Sequence, residues 1–441
     1  MKKKFPSRFR FNLGVPIFLL LLCTVTISTR ATTITVTNTN DTGPGSLRQA
    51  LVDAHDRDTI NFAVTGTIGL TSAELAIDKN ITISGPGPNS LAVSGGNFRV
   101  FHVMPQHTVT IEGLTVRDGR GGIYNDHATL TVSNCAVSRN WGGYGGGVYN
   151  DGYQGGSALT IVNSTITENC ACDPGVAYGG GVYSDGMLTI INSTVSNNSA
   201  PLISSQGEGH GGGIYGTVTI IGSTITGNFA SETGGGISGD GTITNSTISG
   251  NMAGGGDDGI PGWGGGLFGG GTISNSTISG NTAWGDDFKG PGLGGGIFSV
   301  GAVITNSIFS YNSATEGDNI YGAVSSHGYN VCGDGCGLNG PGDQNNTDPL
   351  LGPLQDNGGP TSTHALLPGS PAIDAGDLGF TPPPWYDQRG PDFWRVRNNR
   401  IDIGSFEVQN GPALTPTPTP TARPGSTPRL RPTPPPRPTP R

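Results

Sequence analysis

Residues 245 to 268, NSTISGNMAGGGDDGIPGWGGGLF, are followed at 275 to 298 by NSTISGNTAWGDDFKGPGLGGGIF, nearly the same text. Aligned on N-S-T-[IV] and its close variants, the first position of the motif falls at Asn134, Asn163, Asn192, Gly222, Asn245, Asn275 and Asn306. The steps between them are 29, 29, 30, 23, 30 and 31 residues. A period of this length belongs to a solenoid, a propeller or an array, in which each unit buries its apolar side only by stacking on the next.

The columns of the alignment choose among these. Two residues before the anchor stand Val132, Ile161, Ile190, Ile220, Ile243, Ile273 and Ile304, and three residues after it stand Val137, Ile166, Val195, Ile225, Ile248, Ile278 and Phe309. A third apolar column follows each G-G-G run, at Val148, Val182, Ile214, Ile237, Leu267 and Ile297. The local alternation is strand-like, and each strand is too short to form a stable sheet alone. Stacking the coils about 4.8 Å apart would pile like residues on like and pair every strand with the coils above and below. The expectation is an all-β, right-handed, single-stranded parallel β-helix with three short strands per coil. A propeller blade needs four strands and a longer repeat. Asn140, Asn169, Asn198, Asn228, Asn251, Asn281 and Asn312 form a column without exception. Corner ladders of stacked amides, at turns that asparagine tolerates, are the expectation for it.

Composition agrees with a repetitive chain: 77 of 441 residues are glycine and 12% are charged. Residues 1–31 run from a basic stretch into VPIFLLLLCTVTI and end with Thr29 and Ala31 at the places of a cleavage site, as a secretory signal peptide does. Residues 411–441 are Pro- and Thr-rich and lack the apolar groups that would offset chain entropy, which predicts an extended, disordered tail. Between them, 32–115 are expected to hold an N-terminal cap and the first coils, 116–325 the repeats, and 326–410 a C-terminal cap. GPGSLRQALVDAH places Ser46 as N-cap of a short capping helix with Leu47, Ala50, Leu51 and Ala54 on one face. No transmembrane span is expected once the signal is removed.

The ends carry 11 of the 23 Lys and Arg, leaving 12 basic against 32 acidic residues in the body, a net of −20. No Lys or Arg lies between Arg139 and Lys289. Such a body repels nucleic acid, anionic lipid headgroups and acidic polysaccharides unless cations intervene. Five cysteines remain after the signal, Cys135, Cys170, Cys172, Cys332 and Cys336. Their spacing is not that of a zinc site, so disulfides or free thiols are expected, with one thiol unpaired.

The signatures GG[IVL]Y and [IVF]-x-x-N, as in GGGVYNDG (145–152) and FSYN (309–312), resemble the repeats of polymorphic outer membrane protein and pectate-lyase-like β-helix families. DPLLGPLQDNGGPTSTHALLPGSPAIDAGD (348–377), followed by DQRG at 387 and DIGSFE at 402, is similar to the choice-of-anchor Q domain of bacterial exported proteins. The resemblance implies a protein secreted by, or held on the surface of, a bacterium, and it implies no catalytic activity. The sorting helix expected of that family does not follow here, so the manner of attachment stays open.

Catalytic motifs known on β-helix scaffolds are only partly present. GHG at 209–211 and NTD at 346–348 match polygalacturonase words, but in the wrong order and without R-I-K. Lyase chemistry on uronates needs an Arg or Lys base, and the coils from 140 to 288 contain none. The acidic pairs Asp257/Asp258 and Asp286/Asp287 fit either general acid/base hydrolysis or, if their loops stack, a calcium site; solvated diverging loops are the plainer alternative. No other cofactor is implied. Tyr144, Tyr178, His210 and Trp263 precede G-G-G runs in one column and would form a stripe for a polysaccharide partner if they face outward, or anchors for the loops if they are buried. The functional expectation is a non-catalytic, adhesin-like or envelope β-helix. The alternative is a polysaccharide-degrading lyase or glycoside hydrolase.

Overall fold

The structure, a computed structural model, describes residues 31–409 apart from 174, 176, 203–207, 256–259 and 286–288. The expected signal (1–31, but for Ala31) and tail lie outside these residues. Parallel ladders run the length of the chain as a 20-stranded, an 11-stranded and a 7-stranded sheet. Successive strands of each column pair in register, as in Val132↔Ile161, Ile161↔Ile190, Ile190↔Ile220 and Ile220↔Ile243. The fold is a right-handed parallel β-helix, the hand that parallel crossovers take. All three aliphatic columns are internal and fully buried. At ~1.5–3 kcal/mol for each buried Val, Ile or Leu, they supply the apolar core that no coil could form alone. The three expected strands per coil are present, and a fourth of two residues follows the asparagine, as at Cys170–Ala171 and Met252–Ala253.

The asparagines divide their work by position. The anchor residues, Asn134 to Asn306, hold φ of 48–59°, and in the Gly222 coil glycine takes that place. The residues just before the invariant column also turn left-handed, at Arg139, Glu168, Asn197 and Tyr311 and at three glycines. The invariant column itself turns its amides inward. From Asn140 to Asn312 each Nδ2 donates to the Oδ1 of the next coil at 2.8–3.0 Å. Its backbone N–H donates to the same oxygen. A second ladder was not foreseen. The serine after each anchor accepts from the N–H of the serine one coil earlier, from Ser193 through Ser307.

The helix Leu47–Asp53 covers the N-terminal end, with Ser46 accepting from the Gln49 N–H and Leu47, Ala50 and Leu51 buried. At the other end Cys332 and Leu338 join the core. Residues 348–409 do not sit over that end. They run back along the flank of the rod, bonding to Gly222, Thr224, Asn245, Thr247 and Asn306. Cys170 pairs with Cys172 and Cys332 with Cys336, and Cys135 is free and buried. No helix among the described residues is long and apolar enough to cross a membrane.

Candidate functional site

The side chain after each buried residue of the third column alternates to the outer face of the rod. There, in register, stand His102, Tyr124, Tyr149, Tyr183 and Tyr215. Their rings contact in sequence at 4.8, 5.0, 5.1 and 5.3 Å between centroids. This column is the Y of the GG[IVL]Y signature, at the fixed place after an aliphatic residue in the coils of Tyr124, Tyr149, Tyr183 and Tyr215, and that register was its legible signal. Beside it runs the column containing the four stripe candidates, bridged as Tyr144↔Tyr178, Tyr178↔His210, His210↔Thr233 and Thr233↔Trp263. Tyr144, Tyr178 and His210 are brought together, with ring separations of 5.7 and 5.1 Å. Trp263 stands apart beyond Thr233, packed on Phe268 and Phe298. Tyr144 and Trp263 are 41% and 40% exposed, whereas Tyr178 and His210 are half-buried.

Tyr144 is the first ring of its column, and a groove of 630 Å³ opens on its N-terminal side, lined by Glu74, Arg99, Arg120, Tyr144, Tyr149 and Asp173. Arg99 lies over the Tyr124 ring at 4.5 Å and Arg120 over Trp141 at 5.4 Å. Glu74 holds Arg99 at 3.2 Å and His102 Nδ1 at 2.8 Å. Two guanidinium groups thus face one groove in a body dominated by carboxylates.

Burial pushes the phenols of Tyr124, Tyr149 and Tyr178 above their ordinary range, and hydrogen bonds to Asp151 and Glu208 raise Tyr124 and Tyr178 further. Tyr183 is pushed up to about 12 by the same burial. These groups stay protonated near neutral pH, so they donate hydrogen bonds and offer ring edges but make poor general bases. His210 is pushed down by burial, with Nδ1 on Thr233 Oγ1 at 2.8 Å and Nε2 at 3.5 Å from both Glu208 and Glu232.

Asp257, Asp258, Asp286 and Asp287, the expected cation ligands, lie outside the described residues. The group among the described residues able to hold a metal is Asp126, His127 and Asp151, which sequence reasoning did not single out. Its two aspartates recur at the same register in IYND and VYND. His127 Nδ1 lies 2.5 Å from Asp126 Oδ1 and Nε2 lies 2.6 Å from the Tyr153 carbonyl. Both partners accept, so a ring carrying protons on both nitrogens satisfies both, and the Asp126 bond raises its pKa. A metal would have to displace a proton from it. The polygalacturonase words have other partners: His210 belongs to the ring column, and the Tyr311 hydroxyl donates to Asp348.

No known protein-family profile matches the chain, and no curated protein does. Solved structures do. The chain is similar to pectate lyase Pel9A, with a TM-score of 0.53 at 15% identity over 87% of this chain and 97% of that one. It is also similar to the PL6 family alginate lyase AlyGC, with a TM-score of 0.34 at 13% identity over 87% of this chain and 59% of that one. At such identities the first likeness shows the parallel β-helix fold and nothing of the chemistry carried on it.

Proposed function

We propose that this is an exported, non-catalytic β-helix protein that holds a polysaccharide against the outer aromatic face, in the groove between Arg99, Arg120 and Tyr144. The observation that carries the proposal is the arrangement of that groove: an exposed tyrosine ring at its end, two guanidinium groups along it and neutral phenols behind it. Ring faces and phenol donors suit the apolar faces and hydroxyls of a sugar. Because successive rings from His102 to Tyr215 stand 4.8–5.3 Å apart and pack on one another, most of their faces are covered; Tyr144 and Trp263 present the open area. Tyr178, followed by His210, backs Tyr144, and Phe268 and Phe298 back Trp263. The likeness of residues 348–377 to the choice-of-anchor Q domain fits an exported, surface-held rod.

Affinity electrophoresis against a panel of neutral and acidic polysaccharides tests the proposal. Tyr144→Ala combined with Arg120→Ala is expected to remove retention while the melting temperature falls by no more than a few degrees. Retention unchanged in that variant would overturn it. The second reading, a polysaccharide-degrading enzyme, draws on the β-helix shared with pectate lyase Pel9A. New reducing ends or unsaturated products released from any member of the same panel would establish it instead.

A further inference from the structure

The aromatic ladder of the outer face has one missing rung. From His102 to Tyr215 every coil contributes a ring, and from Phe268 through Phe298 to Tyr321 rings again follow at 5.1 and 5.3 Å. Between them the register reads Tyr215↔Ser238↔Phe268. Ser238 occupies the place of a ring and is 4% exposed, its hydroxyl 2.9 Å from Thr233 Oγ1. In the neighbouring column the same coil has Thr233 between His210 and Trp263. This is the short coil of the repeat, 23 residues from Gly222 to Asn245, so it also lacks the long loop that others carry.

We propose that this gap is a second binding site, which accepts one flat aromatic ring bearing a hydrogen-bond donor. The gap is a cavity of 300 Å³ bounded by Tyr215, Thr217, Ser238, Asp240, Phe268 and Val300. Cavities of about 150 Å³ already accept benzene. Tyr215 and Phe268 are two strands apart, about 9.6 Å along the rod, so a ring midway sits at the interval that the rest of the ladder keeps. Such a ring gains contact on both sides at once, as each interior ring of the ladder does. The walls facing the gap are apolar rings, so a flat aromatic ring gives up less hydration there than a sugar, whose hydroxyls would be left without partners.

Polarity is set by Asp240 at the mouth. Its Oδ1 accepts the Gly270 N–H at 2.8 Å, and its exposed carboxylate keeps a second oxygen free of any hydrogen bond among the described residues. No Lys or Arg occurs in the sequence from 140 to 288 to compete for it. The site therefore selects a phenol or an aromatic ammonium compound and rejects aromatic anions. It lies apart from the Arg99–Tyr144 groove and does not depend on the glycan reading.

Titration calorimetry on the full chain with tyramine, p-cresol, benzoate and methyl β-glucoside tests the assignment. Tyramine and p-cresol are expected to bind saturably, and benzoate and the glucoside to show no heat. Ser238→Phe puts the missing ring in place from the protein's own side; it should raise the melting temperature and weaken tyramine by about tenfold or more. Asp240→Asn should weaken tyramine severalfold and leave p-cresol within about twofold. Tyr144→Ala should change neither, which separates this site from the groove. No saturable binding of either phenol, or stronger binding of the glucoside than of p-cresol, would overturn the proposal. Undiminished tyramine affinity in folded Ser238→Phe would do so as well. If Ser238→Phe does not fold, Phe268→Leu decides: it keeps an apolar wall but removes the ring, and unchanged tyramine affinity there sinks the site.

Discussion

The asparagine ladder and the flank segment 348–409 both bury polar groups against the same rod, and they satisfy them in different ways. Asn228 is typical of the ladder. Its Oδ1 accepts from Asn198 N–H and Nδ2, and its Nδ2 donates to the Val195 carbonyl and to Asn251 Oδ1, all within 2.9–3.0 Å. Every interior rung repeats this, so one solution serves coil after coil. On the flank, Arg395 is fully buried and its Nη2 reaches Asn275 Oδ1 and two carbonyls, yet Nε and Nη1 have no partner. Glu407 is equally buried; its Oε2 accepts from the Asp402 N–H while Oε1 has none. Asn245 and Asn306, anchors of the repeat, each leave an Oδ1 unpaired under the same segment. Repetition finishes a polar network because each residue is both donor and acceptor to a copy of itself. A contact made once has no such guarantee.

The comparison is tested most severely inside the coil. Ile220→Asp places a carboxylate without a partner among the fully buried isoleucines, between Ile190 and Ile243. The expected loss is about 4 kcal/mol or more, enough to prevent accumulation of folded protein. A folded variant with the native melting temperature would contradict the register. Asn228→Leu comes next. It strips Asn198 of an acceptor for both its N–H and its Nδ2, and it leaves the Val195 carbonyl without its side-chain donor. About 3 kcal/mol should be lost in chemical denaturation, since each unsatisfied buried group costs about 1–3 kcal/mol. A loss below about 1 kcal/mol would mean that water replaces the rung.

The flank should respond to pH where the ladder, which has no titratable group, does not. Burial pushes Glu407 up to about 10, with Asp402 adding to the shift, and Asp402 itself is pushed up to about 6 by burial. Around them stand Arg395, Asp374, Asp387 and Arg389; Asp387 accepts three hydrogen bonds from the Arg389 side chain and one from the Glu407 N–H. A raised carboxyl keeps its proton in the folded state after the unfolded chain has released it. Stability contributed by the flank is therefore greatest at acid pH. It falls from about pH 4 to 6 through Asp402 and on toward pH 10 through Glu407. The slope is at most about 1.4 kcal/mol per pH unit for each group. Glu407→Gln removes one of the two dependences. It should cost no more than about 1 kcal/mol at pH 5 and be more stable than the parent at pH 9. Parallel denaturation curves for both proteins at pH 5 and pH 9 would refute the buried neutral carboxyl.

The same contrast explains what the sequence disclosed. The aliphatic columns, the invariant asparagines and the Ser46 cap are visible because repetition or local spacing states them several times. The fold follows from those positions alone. Left-handed turns could be placed only on asparagine in general; that they fall on the anchor and on the residue before the ladder depends on coil geometry. The flank segment was expected over the end of the rod. Contacts such as Gln388 with Thr224 and Thr247, separated by 164 and 141 residues, leave no trace in a single sequence. At the outer face, the column with Tyr144, Tyr178, His210 and Trp263 was legible as a column. Its neighbour through Tyr149 was legible as a signature, but their mutual packing, the Arg99–Arg120 groove and the Asp126–His127–Asp151 cluster were not. Those arise where residues from different coils meet, and side-chain size rather than period decides them.

The smallest effect is expected where the serine ladder begins with a cysteine. Ser164, Ser193, Ser246 and Ser276 each donate from Oγ to the carbonyl two residues earlier at 2.7 Å, and each accepts the N–H of the preceding coil's residue. Cys135 occupies the first such position. Its N–H donates to Ser164 Oγ at 3.0 Å, and its Sγ lies 3.3 Å from the Ser133 carbonyl, the longer reach of sulfur. Burial pushes its thiol up to about 11, so it is neither a nucleophile nor a ligand at neutral pH. Cys135→Ser supplies the hydroxyl that every later coil already has. It exchanges a weakly bonded, buried apolar sulfur for a bonded oxygen, and the two changes offset each other to within about 1 kcal/mol. The disulfides Cys170–Cys172 and Cys332–Cys336 do not involve this residue and should form as before. A melting curve that overlays the parent's would show that the ladder accepts its own chemistry at a seventh place. A loss of several kcal/mol would mean instead that sulfur packing against Ile111 and its neighbours, not the serine bonds, holds the first repeat in place.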